Sequence, residues 1–284
     1  MQGKTVLITG ATNGIGKETA RALAALGAHV VIVGRSAERT AATVEELKRS
    51  TGSAQIDWLL ADLSLVAEVR RLADEFGSRF AQLDVLVNNA GAIFEKRLET
   101  SEGLEMTFAL NHMSYFALTT LLLPVLKAGA AASGTPARVI SVSSSAHMGG
   151  RLNFDDLQLK KRYNAFGAYA NSKLANVLFA YELARRVSPS AIVSNALHPG
   201  GVATGFGKNN RGLLKLFVGL FAPIMLKPEE GAETSIYLAS AAEGGSVTGG
   251  YFDKKRAVKS SFASYDEASA RRLWEVSAQL MHQP

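Results

Sequence analysis

The chain has 284 residues, 47% of them apolar, with 7 prolines and no cysteine, which permits a sizeable core and excludes disulfides, thiolate metal sites and a cysteine nucleophile. No Ser/Gly-rich linker or repeat divides it, so one domain over 1–284 is expected. Its net charge of +6 is scattered, and the densest basic cluster, Lys254-Lys255-Arg256, is too short to point to a nucleic-acid partner.

Short β-branched runs alternate with longer helical patterns from the start. The first strand, Thr5 to Thr9, follows directly on Lys4, so no signal peptide is read there. It runs into Gly10-Ala11-Thr12-Asn13-Gly14-Ile15-Gly16 and a helix near Gly14 to Leu26. Glycines at such a turn allow close backbone approach, while free N–H groups at the helix start attract a pyrophosphate. Dinucleotide binding by Gly10, Thr12, Asn13, Gly14, Ile15 and Gly16 is the expectation. Gly27 stands where a left-handed residue closes that helix.

The second strand, His29 to Val33, leads to Gly34 and Arg35. An acidic side chain here would accept hydrogen bonds from the two ribose hydroxyls of NAD, and it is missing. Arg35 can instead pair with a 2′-phosphate through a charge-assisted fork, so NADP(H) is the preferred cofactor and NAD(H) the alternative. Lys17 and Arg39 are read chiefly as surface charge. A helix over Ala37 to Ser50 and a third strand over Ile56 to Ala61 come next. Asp62-Leu63-Ser64 then has the form of a helix cap. The following elements are a helix at Leu65 to Phe76, a strand at Val85 to Asn88, a long helix at Ser101 to Lys127 and a strand at Val139 to Ser143. Asn111 sits inside the long helix, an awkward place for a side chain that competes for backbone hydrogen bonds.

Past the fifth strand, Ser143, Ser144 and Ser145 could each offer a hydroxyl to a substrate oxygen, and chemistry alone does not choose among them. Strand alternation leaves Ser144 as the first free to turn into a cleft. A helix over Phe166 to Val187 carries Tyr169 and Lys173, four residues apart and so on one face. An ammonium ~4 to 5 Å from a phenol, at an effective dielectric of ~20, favours phenolate by ~3 to 4 kcal/mol. That is roughly two to three pK units, enough for proton exchange near neutrality.

A sixth strand at Ile192 to His198, a helix at Glu229 to Ser240, a last strand near Gly250 to Phe252 and a terminal helix at Asp266 to Met281 complete the βαβα order. That order predicts an α/β fold, a Rossmann-type doubly wound parallel sheet of about seven strands with helices on both faces. His112, His147 and His198 have neither metal-ligand spacing nor a nucleophile partner and are read as structural, with no metal site.

The Gly-x-x-x-Gly-x-Gly spacing of Gly10 to Gly16 resembles the short-chain dehydrogenase/reductase family. Four further matches stand in the family's order: Asn88-Asn89-Ala90-Gly91, Asn111, Ser143-Ser144, and Tyr169 with Lys173. Pro199-Gly200-Gly201-Val202-Ala203-Thr204 follows the sixth strand. The resemblance implies cofactor contacts from Asp62 and Leu63, from Asn89, Ala90 and Gly91, from Tyr169 and Lys173, and from Pro199, Gly200, Val202 and Thr204. It selects Ser144 among the serines, makes Tyr169 the acid/base and gives Lys173 the nicotinamide ribose. For Asn111 it implies a kinked helix and a water that links Lys173 to solvent. Ser-Ser-Ala-His, Tyr-x-x-Ser-Lys-Leu-Ala-Asn and Arg272-Leu-Trp-Glu-Val-Ser277 narrow it to the retinol-dehydrogenase and WW-domain-oxidoreductase branch. Members often carry a membrane anchor or a WW module; the sequence offers neither, and a retinoid is not taken as its substrate.

Apolar residues from Leu213 to Leu226 suggest a substrate lid at 205–228 over an apolar pocket. Packing on the core, or contact with a partner or membrane surface, are the competing readings of that segment. No window offers ~18 uninterrupted apolar residues, so no transmembrane segment is expected. The expectation is a cytoplasmic NADP(H)-dependent oxidoreductase that interconverts a hydrophobic aldehyde or ketone and the alcohol, with a homo-oligomer compatible. The alternative is a non-catalytic NADP(H)-sensing regulatory protein on the same fold.

Overall fold

The computed structural model describes residues 1–188, 191–201 and 226–282. Among these, eight strands form one sheet: β1 Thr5–Thr9, β2 His29–Gly34, β3 Ile56–Leu60, β4 Val85–Asn88, β5 Ala137–Val142, β6 Ile192–His198, β7 Tyr251–Asp253 and β8 Arg256–Ala257. Their order is β3-β2-β1-β4-β5-β6-β7-β8, and all neighbours are parallel except β7 and β8. The helices are α1 Gly14–Ala25, α2 Ala37–Thr51, α3 Val66–Arg79, α4 Met106–Ser133, α5 Ala165–Arg186, α6 Pro228–Ser240 and α7 Glu267–Met281.

Both faces of the sheet are covered, which is why its strands read as nearly continuous apolar runs. Leu7, Val31, Leu59, Leu86 and Val139 point to a layer built from α3, α4, α5 and α7, through Phe76, Phe116, Leu178 and Leu273. Val6, Ile8, Ile32, Val87 and Ile140 point the other way, onto Leu23 of α1, Leu47 of α2 and Leu238 of α6. The chain leaves β1 toward β2 and β3, then returns to pair β4 on the opposite side of β1. That reversal opens a crevice at the carboxyl ends of β1 and β4, the place where such sheets bind ligands. Thr9 Oγ accepts the Asn89 and Ala90 amides at 2.9 and 3.0 Å and stitches the two strand ends together.

The expectation for the long helix needs correction, and two further features go beyond the sequence reading. The long helix begins at Met106 rather than Ser101, because Leu98 to Met106 is a tight loop and the Glu105 carboxylate caps the helix through the Thr107 and Phe108 amides at 2.8 and 2.7 Å. Its 28 residues are also long and apolar enough, by length and composition alone, to cross a membrane. Within the fold they supply core side chains such as Tyr115, Phe116 and Leu122. The eighth strand was not expected; it pairs with β7 through a two-residue turn in which Lys254 and Lys255 have φ of 48° and 64°. Successive left-handed residues match the twist of a hairpin, but Lys-Lys carries none of the usual sequence signal for one.

Candidate active site

The glycine-rich turn after β1 is dictated by contact. A Cβ at Gly10, whose φ is +65°, would stand 2.8 Å from Ala90 Cα. At Gly16 it would meet Asn89 Nδ2 at 2.5 Å and Gly10 O at 2.6 Å. Asn89 Nδ2 donates to Thr9 O and Gly10 O at 2.8 and 3.1 Å and so fixes the turn from the β4 side. Helix α1 has no side-chain cap and no acid in its first turn, so its amino-terminal dipole is left for a ligand. Gly14, Ile15 and Gly16 line a cavity of about 290 Å³ that runs past Asn89, Ala90 and Gly91 to Tyr169, Lys173 and Pro199. A bare backbone wall with unshared amides fits a dinucleotide pyrophosphate.

At the inner end of the cavity the three serines are told apart. Ser143 is buried and its hydroxyl donates to Lys173 O at 2.8 Å. Ser145 is exposed. Ser144 is hydrogen-bonded to the Tyr169 phenol, and its Oγ also accepts the Ala146 amide at 3.2 Å. Lys173 is 3% exposed, and its Nζ donates to Val142 O at 3.0 Å, with the Tyr169 ring centre 5.6 Å away.

Asn111 lies in a π-helical turn, Ala109–Met113, inside α4, where the family resemblance implied a kink. Its amide exchanges two hydrogen bonds with the Ala92 backbone, accepting at 2.8 Å and donating at 2.9 Å, and also donates to Ser172 Oγ at 2.9 Å. Ser172 in turn donates to Tyr169 O at 2.7 Å, so Asn111 braces the helix turn that carries Tyr169.

The electrostatics depart from the sequence expectation. Burial pushes the Tyr169 phenol up from 10.0 to about 12, against a smaller lowering by the Ser144 hydrogen bond. Burial likewise pulls Lys173 down from 10.5 to about 7. Burial therefore outweighs any acidification of the phenol. Desolvation penalises both the phenolate and the ammonium, and it is the larger influence on each group.

Residues 4–212 match the sequence profile described as short chain dehydrogenase. The chain belongs to that family. Retinol dehydrogenase 12 of Mus musculus is 39% identical over 279 residues, covering 98% of this chain and 86% of that protein. Retinol dehydrogenase 13 of Homo sapiens is 39% identical over 285 residues, covering 98% and 85%. A crystal structure from Mycobacterium paratuberculosis superimposes with TM-score 0.78 at 32% identity, covering 99% of this chain and 94% of that one. The Pseudomonas aeruginosa RhlG/NADP active-site complex does so with TM-score 0.71 at 32% identity, covering 89% and 94%. The protein is thus a short-chain dehydrogenase/reductase of the retinol dehydrogenase branch, an oxidoreductase of CH–OH groups that works with NAD(P).

Other expected cofactor positions of this short-chain dehydrogenase lie at the rim or apart from the cavity. Arg35 is exposed at the end of β2 and faces Asp62. Leu63 is buried in the core layer. Asp62 does not cap α3 as its sequence suggests: its carboxylate takes the Ser64 amide and hydroxyl at 3.0 and 2.6 Å in a local turn. The cap comes from Glu102, which accepts the Val66 and Ala67 amides at 2.6 and 2.9 Å. Lys17 is taken by Glu46 at 2.5 Å. Gly200 has φ +86°, and Leu226 donates to Gly201 O at 2.8 Å. Val202, Thr204 and 205–225 of the expected lid lie outside the described residues.

Sequence reasoning missed Ala92, Ile93, Leu110 and Val142, which also line the cavity. Val142 could have been found as the last β5 residue before the serines, but Leu110 is brought in by the π-helical turn, which no local pattern announces. Among the described residues, no group of three or more His, Asp or Glu is placed to hold a metal. His112 is fully buried, bonds Ser277 Oγ at 2.9 Å and is pulled down by burial to about 4.

Proposed function

We propose that the protein is an NADP(H)-dependent oxidoreductase interconverting an apolar aldehyde or ketone and its alcohol. The single observation that carries this reading is the hydrogen bond between Ser144 and Tyr169 at the end of a cavity walled by the glycine cradle. Two hydroxyls that meet there can both turn to one substrate oxygen, Ser144 as a neutral partner and Tyr169 as the proton donor or acceptor. The dinucleotide, when bound, supplies or accepts the hydride. With its phenol held protonated at neutral pH, Tyr169 is in the form that gives a proton to a reduced carbonyl oxygen. Lys173 is within reach of the same ring and is read as the ribose clamp and the charge that supports phenolate in the oxidative direction. Asn111 keeps the Tyr169 helix turn in register.

The preference for NADP(H) rests on Arg35 and on the absence of an acid at the end of β2, and the RhlG/NADP complex supports it. Gly10, Thr12, Asn13, Gly14, Ile15 and Gly16 would hold the pyrophosphate, with Asn89, Ala90, Gly91, Pro199 and Gly200 along the nucleotide and Asp62 and Leu63 toward adenine. Ile93, Leu110 and Val142 on the cavity wall favour an apolar substrate, as do relatives named for retinol. A chain without cysteine fits the cytoplasm.

The test is turnover of a panel of apolar aldehydes, ketones and alcohols with NADPH against NADH. Reduction with NADPH preferred is the expected result. Tight dinucleotide binding without turnover of any member would replace the enzyme by a sensor.

A further inference from the structure

The peptide group joining Ser144 to Ser145 is gripped at both of its polar ends by histidines. Its carbonyl, Ser144 O, lies 2.6 Å from His147 Nδ1, and its N–H donates to His198 Nδ1 at 3.1 Å. His147 is 1% exposed, and its other nitrogen, Nε2, accepts the Ser261 amide at 3.0 Å. A backbone amide can only donate, so Nε2 bears no proton and the neutral ring carries it on Nδ1, aimed at Ser144 O. His198 must present the opposite tautomer at Nδ1, a bare acceptor. Burial lowers the affinity of both rings for a second proton.

Two hydrogen bonds of opposite polarity on one peptide plane fix its rotation, and that rotation sets where the Ser144 side chain points. The same assembly reaches the helix that carries Tyr169. Ser260, next to Ser261, is bonded to Tyr181 of α5 at 2.8 Å and to Ser264 at 2.6 Å. The segment past β8 is therefore tied to α5 on one side and, through His147, to the serine turn on the other.

We propose that His147 and His198 are positioning residues for the reaction, locking the Ser144–Ser145 peptide so that the Ser144 hydroxyl meets Tyr169 and the substrate oxygen. The proposal rests on the reading of Ser144 as the substrate's hydrogen-bond partner. It is tested by a double-mutant cycle on kcat, with decanal and NADPH, using His147→Ala, Ser144→Ala and the pair, with NADPH affinity measured by fluorescence as the check on folding. His147→Ala should lower kcat by about tenfold to a hundredfold with NADPH affinity unchanged. In the Ser144→Ala background it should cost nothing further. His147→Asn, which keeps a donor on the ring's near side, should recover part of the loss. If His147→Ala does not fold, His198→Leu enters the same cycle. Equal losses in both backgrounds, or wild-type kcat in His147→Ala or His198→Leu while Ser144→Ala is impaired, overturn the positioning role alone. Wild-type kcat in Ser144→Ala, or no turnover by the unmodified protein, overturns the reading beneath it.

Discussion

The Arg35 guanidinium stands 3.7 Å from the Asp62 carboxylate, across the gap between the ends of β2 and β3. Burial raises the Asp62 carboxyl, but the Ser64 hydrogen bonds and Arg35 together outweigh it and hold it below the usual range. Arg35 is 67% exposed, so the pair adds little stability and can open when a stronger anion arrives. A 2′-phosphate is such an anion. Arg35→Ala should reduce the preference for NADPH over NADH by about tenfold to a hundredfold, read as the ratio of kcat/KM values, the loss of one charged hydrogen-bonding fork. Arg35→Lys should fall between, because a point charge replaces the fork. An unchanged ratio in both variants would remove Arg35 from cofactor choice.

Tyr169→Phe deletes one hydroxyl and keeps the ring against Lys173. Turnover should fall by about a hundredfold to ten-thousandfold, the usual worth of a general acid. Dinucleotide affinity should stay close to that of the parent, measured by quenching of tryptophan fluorescence. Retained turnover would transfer the proton to another group.

The buried Lys173 makes stability depend on pH in a direction that can be worked out. Its folded pKa of about 7 lies below the ordinary 10.5, so between these values the unfolded chain holds more protons and stability rises with pH. Tyr169 acts oppositely at higher pH, since its folded pKa of about 12 exceeds 10.0 and stability falls across that interval. Melting of the cofactor-free protein should therefore gain, relative to Lys173→Met, as pH climbs from about 7 toward 10.5. A flat difference between the two proteins would mean that Lys173 is solvated.

Gly16→Ala puts a methyl group 2.5 Å from Asn89 Nδ2, where the amide is already committed to Thr9 O and Gly10 O. The β1 turn must shift, and dinucleotide affinity should drop by at least about tenfold, together with a lower melting temperature. Titration with NADPH checks it; parental affinity would show that the cradle tolerates the group.

Glu102→Ala removes the acceptor of two α3 amides and should cost about 1 kcal/mol, the usual worth of an N-cap. Urea unfolding measures it, and kcat should be untouched because the cap lies away from the cavity.

Local pattern made the sheet legible: alternating runs marked β1 to β7, and Gly10 to Gly16 announced the cradle before any fold was known. Strand alternation favoured Ser144 among the three serines, although β5 ends at Val142, one residue before the expected Ser143. What stayed hidden depends on chain segments far apart in sequence. The acidity of Tyr169 follows from how much of the fold closes over it, which spacing to Lys173 cannot reveal. The helix cap of α3 comes from Glu102 rather than the adjacent Asp62, and His147 owes its tautomer to Ser261. These three are products of tertiary contact, and each changes a role that residue type alone suggested.

A parallel sheet that stopped at β7 would offer a row of free peptide groups to any neighbouring molecule. Instead the chain doubles back for Arg256 and Ala257, an exposed strand too short to serve as a template. Its turn is charged: Lys255 is braced by Glu233 at 2.8 Å, while Lys254 and Arg256 are exposed beside it. A second copy approaching the same edge meets like charge and almost no backbone. The basic cluster, too short in the sequence to point to a nucleic-acid partner, thus serves to blunt one edge of the sheet and leaves β3 as the other edge strand.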